Sequence, residues 1–242
     1  MVGRASSVLG AGLLGFLVVY YETSEHWPEL GVWWNVAWIA LMLLPAVFAL
    51  VLLALPLRTN RWLLPIGAAC VVLAVVLTVL DADVFANFAR LGATTCLGWW
   101  FLSWFEELSW VVLVALVIPW IDAYSVWRGP TKQIVSHHEQ VFTWLSFAFP
   151  IWGEPAAANL GVPDLLFFAL FLGAADRFGL RVVATYVCLV AALGGTIAIT
   201  VWLDLSGLPA LPAISLGFLV PNADLIWRQL RTRPVTTGPA ET

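Results

Sequence analysis

The sequence predicts an all-α fold, a polytopic transmembrane helical bundle of about eight helices, and three observations predict it. Of the 242 residues, 62% are hydrophobic and 11% charged, whereas a soluble domain runs about 45–50% apolar and about 25% charged. Apolar stretches near the roughly 20 residues a spanning helix needs follow one another from residue 6 to residue 228. Tryptophans gather at the ends of these stretches, among them Trp33, Trp34, Trp99, Trp100, Trp127, Trp202 and Trp227, as in the aromatic belt where amphipathic rings meet lipid headgroups.

Interruptions by charge, Pro and Gly divide the chain into helices at residues 6–22, 32–56, 62–80, 86–104, 108–127, 161–177, 181–203 and 208–228. The first follows Arg4 and resembles a signal peptide in length. Its apolar run ends in YYETSEHW with no small-residue cleavage site, so it is read as a retained helix. The segment VFTWLSFAFPIW, residues 141–152, is apolar but too short to span and reads as interfacial or re-entrant. Three regions result: residues 1–105 with helices 1 to 4, residues 106–230 with helices 5 to 8, and a disordered tail at 231–242.

Eight of the eleven basic residues, Arg4, Arg58, Arg61, Arg177, Arg181, Arg228, Arg231 and Arg233, fall on one side when the helices alternate in direction. The positive-inside rule then puts both termini in the cytoplasm, against which stand Arg90, Arg128 and Lys132. Lys132 is the single lysine among abundant Ala, Val and Leu, which points to a GC-rich prokaryotic genome and hence a multi-pass protein of the plasma membrane. A net charge of −4 and the absence of a long basic cluster exclude nucleic acid as a partner. Cys70, Cys96 and Cys188 each stand alone in an apolar run and read as packing residues. The adjacent His137 and His138 lack acidic or sulfur companions at ligand spacing, so no metal and no cofactor are expected.

An ionisable side chain within a span costs about 2.5 kcal/mol or more, so each requires a reason. Asp224 lies one turn before Arg228 and is read as its ion-pair partner. Glu106 and Glu107 sit at a turn, and Asp176 with Arg177 ends a helix. Asp122 lies inside the end of LSWVVLVALVIPWIDAYSVW, one turn after Pro119, whose missing N–H loosens the helix there. It either reaches the nearby interface or faces a polar pocket. Asp164, in NLGVPDLLFF, on its own is an ordinary acid in a first helical turn after Pro. The fifth helix ends and the sixth begins on one face, however, so both acids lie near it at shallow depth, and SGLPALPAIS opens the eighth helix at that same face. Two carboxylates a few ångströms apart in a low-dielectric site do not both ionise easily and hold one proton between them. Such a pair can take a proton from water and give one to a departing amine.

At these residues the chain resembles the GxGD aspartyl intramembrane proteases, the family of presenilin, signal peptide peptidase and their microbial relatives. IDAYSVWRGP, residues 121–130, resembles the first aspartate motif; LGVPDLLFFALFLGAADRF, residues 160–178, the second; and LPALPAISLGFLV, residues 208–220, the PAL motif, whose core is unchanged. The resemblance covers residues 110–228, with the motifs in the family's order and a link of 164 − 122 = 42 residues between the aspartates. It implies a presenilin-like helical bundle and cleavage of transmembrane segments or signal peptides, with Asp122 and Asp164 as the catalytic pair. It further implies that Gly161, Val162, Pro163, Pro209, Ala210 and Leu211 bind substrate. Two positions depart from the pattern. Ile121 stands for the usual Tyr, and Pro163 for the second Gly of GxGD, adding bulk and deleting an N–H. Two other readings follow from those departures and from the intramembrane acids: a catalytically inactive presenilin-like binding protein, and a transporter with acidic relay groups.

Overall fold

The computed structural model describes residues 2–128, 146–205 and 207–231. His137, His138, Lys132, Arg233 and the tail beyond Arg231 lie outside the described residues. Among those described, eight helical rods follow one another: α1 (Val2–Thr23), a rod composed of α2 (Val32–Trp38) and α3 (Leu44–Ala54), α4 (Leu63–Val79), α5 (Asp83–Leu102), α6 (Leu108–Arg128), α7 (Val162–Arg177), α8 (Val182–Trp202) and α9 (Leu211–Arg231). Three are long and apolar enough to cross a membrane: Val32–Thr59, Leu108–Ser125 and Val182–Trp202. Leu63–Val79 is a shorter apolar helix.

The expectation of a purely helical chain is corrected at one place. Residues 146–150, within the segment expected to lie at the interface, form strand β1 (Ser146–Pro150), which pairs antiparallel with β2 (Ala157–Gly161). The physical reason is local. SFAFP places Phe at alternate positions, and Phe147 and Phe149 are both fully buried on one side. Gly153, at φ 77, turns the chain between the strands with its backbone close against Glu29. Gly161 closes β2 and is at once the residue before α7, so the sixth helix starts one residue later than expected.

α7 is the centre of the molecule. Every residue from Phe168 to Ala175 is buried, more than two turns without an exposed face. Phe168 stacks on Phe48 of α3 with ring centroids 3.8 Å apart, and Phe171 on Phe218 of α9 at 4.9 Å. α5 approaches its other side very closely. A Cβ on Gly98 would stand 2.7 Å from the Leu166 carbonyl oxygen, and one on Gly173 would stand 2.7 Å from the Trp99 ring. The Trp99 indole N–H donates to the Ala169 carbonyl at 3.0 Å, so the one polar atom in this contact is satisfied. Small residues that let backbones approach are the usual means of packing helices where burial from water supplies no drive.

The other rods are held at their ends. α1 is a packed member of the bundle: Leu17 and Tyr20 are buried, and the Tyr20 hydroxyl accepts from the Trp38 indole at 2.9 Å. The rod of α2 and α3 contains a wide turn at Ile39–Leu43, just before Pro45, which has no N–H to return to the preceding turn. α4 and α8 each stop on a left-handed aspartate, Asp81 at φ 55 and Asp204 at φ 51, with the next amide reaching back to Leu77 and Thr200. At one end of the bundle, Gly153 donates to the Ser24 carbonyl at 2.9 Å. At the other, Arg58 pairs with Asp176, Arg177 donates to the Leu102 carbonyl at 2.6 Å and Gln229 to the Phe178 carbonyl at 3.0 Å. Asp224 pairs with Arg181 of the α7–α8 turn at 2.7 and 2.8 Å, an inter-helix contact that its spacing to Arg228 did not suggest.

Because the Leu166 carbonyl is backbone, it cannot swing aside for a new side chain. Gly98→Ala is therefore expected to push α5 from α7 and to lower stability by about 1–3 kcal/mol, read as a fall in the thermal midpoint of the detergent-solubilised protein; an unchanged midpoint would refute the close contact.

Candidate functional site

The site is assembled by three helix termini. α6 carries Asp122 three residues beyond Pro119, α7 begins with Val162, Pro163 and Asp164, and α9 begins with Leu211. The first amides of any helix lack a partner within it. The Leu211 N–H finds Asp122 Oδ2 at 3.0 Å, so an acid on α6 caps the start of α9, where the helix dipole favours negative charge. Asp164, in the third helical position of α7, reaches back to the amide of Gly161, the residue before the helix, which is half of a capping box. α6 ends where α7 and α9 begin, so the two carboxyl groups lie at the same end of the bundle although 42 residues separate them in sequence. Both are partly buried.

Of the residues singled out in sequence, Asp122 is bonded to the Leu211 amide, and Asp164 lies against Gly161. A Cβ on Gly161 would stand 3.2 Å from Asp164 Oδ2, a tight contact to which the carboxylate would have to yield. Ala210 is buried beside Leu211, and Pro209 is partly exposed. Val162 and Pro163 form the first turn of α7, with Pro163 exposed. Proline at this place costs the helix no hydrogen bond, since that N–H has no acceptor within the helix. Ile121, where the resemblance would have Tyr, points outward with 57% of its surface exposed.

No family model matches the chain, and no curated protein or solved structure matches it. The geometry therefore stands on its own residues. Among those described, no three His, Cys, Asp or Glu side chains come together as a metal site.

The hairpin leading into α7 went unforeseen as a structural element. Ala148 donates to Asn87 Oδ1 at 2.9 Å and accepts from Asn87 Nδ2 at 2.8 Å. In an antiparallel strand the N–H and C=O of one residue point to the same side, so Ala148, and with it Ser146 and Pro150, turn their backbone groups away from β2. Their register partners Gly161, Asn159 and Ala157 likewise turn theirs away from β1. The outward edge of β2 thus ends at Gly161, whose amide is the one that meets Asp164. The alternation in SFAFP was the signal available in the sequence; the Asn87 contact had none.

Capping and chemistry can be separated at Asp122. Asp122→Ala removes the acceptor for Leu211 and is expected to cost about 1 kcal/mol, whereas Asp122→Asn retains an oxygen acceptor and should cost less. Equal thermal midpoints for the alanine variant and the native protein would count against the bond.

Proposed function

We propose that the chain is an intramembrane aspartyl endopeptidase of the presenilin and signal peptide peptidase type, hydrolysing peptide bonds within transmembrane segments or signal peptides. The observation that carries this reading is that Asp122, bonded to the Leu211 amide, and Asp164, against Gly161, are gathered at one end of the bundle, each of the three segments being one that resembles a family motif.

In the proposed reaction one carboxylate takes a proton from water as its oxygen attacks the scissile carbonyl, while the other carboxyl gives its proton to the carbonyl oxygen. In the second half the proton goes to the amide nitrogen, the C–N bond breaks and the pair is restored. Asp122 and Asp164 exchange the roles of base and acid. A spanning segment has its carbonyls bonded within its own helix, so it must be extended locally before it can react. The outward groups of Ala157 and Asn159 on β2 offer such a segment partners in the manner of an added strand, and that edge leads to Asp164. Gly161, Val162 and Pro163 would line one side of the bound peptide and Pro209, Ala210 and Leu211 the other.

The reading places eight spans in a prokaryotic plasma membrane, with both termini in the cytoplasm and the aspartates near the exoplasmic face. It is supported by Arg58, Arg61, Arg177, Arg181, Arg228 and Arg231, which belong to the bundle end opposite the aspartates. Arg61 lies against Trp62 and Arg231 against Trp227 at 4.1 Å, side chains suited to the headgroup layer. A reporter enzyme fused after the last residue should be active only in the cytoplasm; periplasmic activity would reverse the orientation.

A second reading has an observation of its own. Both aspartates already satisfy helix-terminal amides, a structural role that needs no catalysis, and Pro163 crowds the place of a family glycine, so a silent binding protein would preserve the same contacts. The deciding experiment is cleavage of single-span reporter substrates by the purified protein in bilayers. The native protein should yield product, and Asp122→Asn and Asp164→Asn, which can still accept at the caps, should each lose at least about a hundredfold in rate. Cleavage that survives either substitution would sink the protease reading, while a native protein that cuts only after Pro163→Gly would establish the silent one.

A further inference from the structure

An asparagine amide on an apolar helix must have its donor and acceptor met, or it costs on the order of 1–3 kcal/mol. Asn87 on α5 is 3% exposed, and both its needs are met by one residue, Ala148, at 2.8 and 2.9 Å. The side-chain amide thus does for β1 what a neighbouring strand would do. Arg90, one turn further along α5, donates to the Ser146 carbonyl at 3.3 Å and to Thr78 Oγ1 of α4 at 2.9 Å. Among the other outward groups, the nitrogen of Pro150 has no hydrogen to offer. Of the outward groups of β1, the Ala148 N–H and the carbonyls of Ser146 and Ala148 are therefore met by α5. On β2 the outward groups of Ala157 and Asn159 have no partner among the described residues.

We propose that Asn87 is a positioning residue: by acting as a surrogate strand on β1 it fixes the hairpin against α5, sets the height of Gly161 relative to Asp164, and leaves β2 as the edge, among the described residues, on which an extended peptide can pair. This rests on the protease reading above. The consequence lies in register. A peptide added to β2 is held by main-chain bonds that repeat every second residue, so sliding or tilting the hairpin brings a different carbonyl to the carboxylates. Loss of the Asn87 amide would free β1 to shift, while Asp122, Asp164 and their caps remain in place. Turnover should then fall and the cut should spread along the substrate, with binding little changed.

The test compares the native protein with Asn87→Ser on one reporter substrate that the native protein cuts, reading kcat, KM, the cut position by mass spectrometry and hydrogen exchange over residues 146–150. The variant should lose protection at Ala148, fall about tenfold or more in kcat with KM within about twofold, and release products from neighbouring peptide bonds. A folded variant that loses that protection yet cuts the same single bond at the native kcat overturns the proposal. If Asn87→Ser does not fold, Asn87→Asp carries the same comparison, because it has the same shape and still accepts from the Ala148 N–H but no longer donates. Should the native protein cut nothing, the protease reading falls and the proposal falls with it, an outcome visible before any Asn87 variant is made.

Discussion

The hydrogen bond from the Leu211 amide to Asp122 illustrates the constraint under which the whole molecule is built: backbone groups removed from water must find a partner. Within a helix the chain satisfies itself, so apolar rods are inexpensive. The difficulty concentrates at helix starts and strand edges. Three polar side chains address it here, Asp122 for α9, Asp164 for α7 and Asn87 for β1. All three belong to the same end of the bundle. The polar locus is thus the place where backbone irregularity is collected, and any chemistry at the site uses groups the fold already needs.

Position at that locus is secured from within by α7. Its buried run from Phe168 to Ala175, stacked between Phe48 and Phe218, with Gly98 and Gly173 pressed to α5, leaves it little freedom to translate or rotate. The first turn of that same helix bears Asp164. α6 is the contrast: Trp120, Ile121 and Tyr124 around Asp122 are more than half exposed. One carboxylate is therefore mounted on the most enclosed helix and the other on a helix with an open flank. An extended substrate in the proposed reaction would approach past α6.

Much of this was legible in the residues. Helix starts and stops follow Pro, Gly and charge, and the eight expected rods match those of the fold to within a few residues at each end. Asp122, Asp164 and Leu211 were expected at one end because the alternation of helices returns residues 122, 164 and 211 to one face whatever the detailed packing. Interactions set by packing were not legible. Asp224 has Arg228 one turn away on its own helix, yet Arg181 of another turn approaches it; local spacing shows which pairs are possible and not which neighbour arrives first. The hairpin was hidden for a different reason. A short apolar run with two aromatic residues suits a strand or an interfacial helix equally, and the choice of strand depends on residues 157–161 and on Asn87, some sixty positions before.

Pro163 can be weighed in the same physical terms. As the second residue of α7 it occupies a place where a helix amide has no intrahelical acceptor, so folding does not oppose it. Its fixed φ suits the first helical turn and reduces the freedom of the unfolded chain. It also restrains Val162 before it, and its ring lies beside Gly161, with Cδ 3.5 Å from where a Gly161 Cβ would be. Pro163 is therefore compatible with the caps and bears on the space next to them. In the proposed reaction that space belongs to the substrate chain. Under that proposal Pro163 would alter which peptides can lie along β2 close enough to Asp164, a matter of side-chain size near the scissile bond.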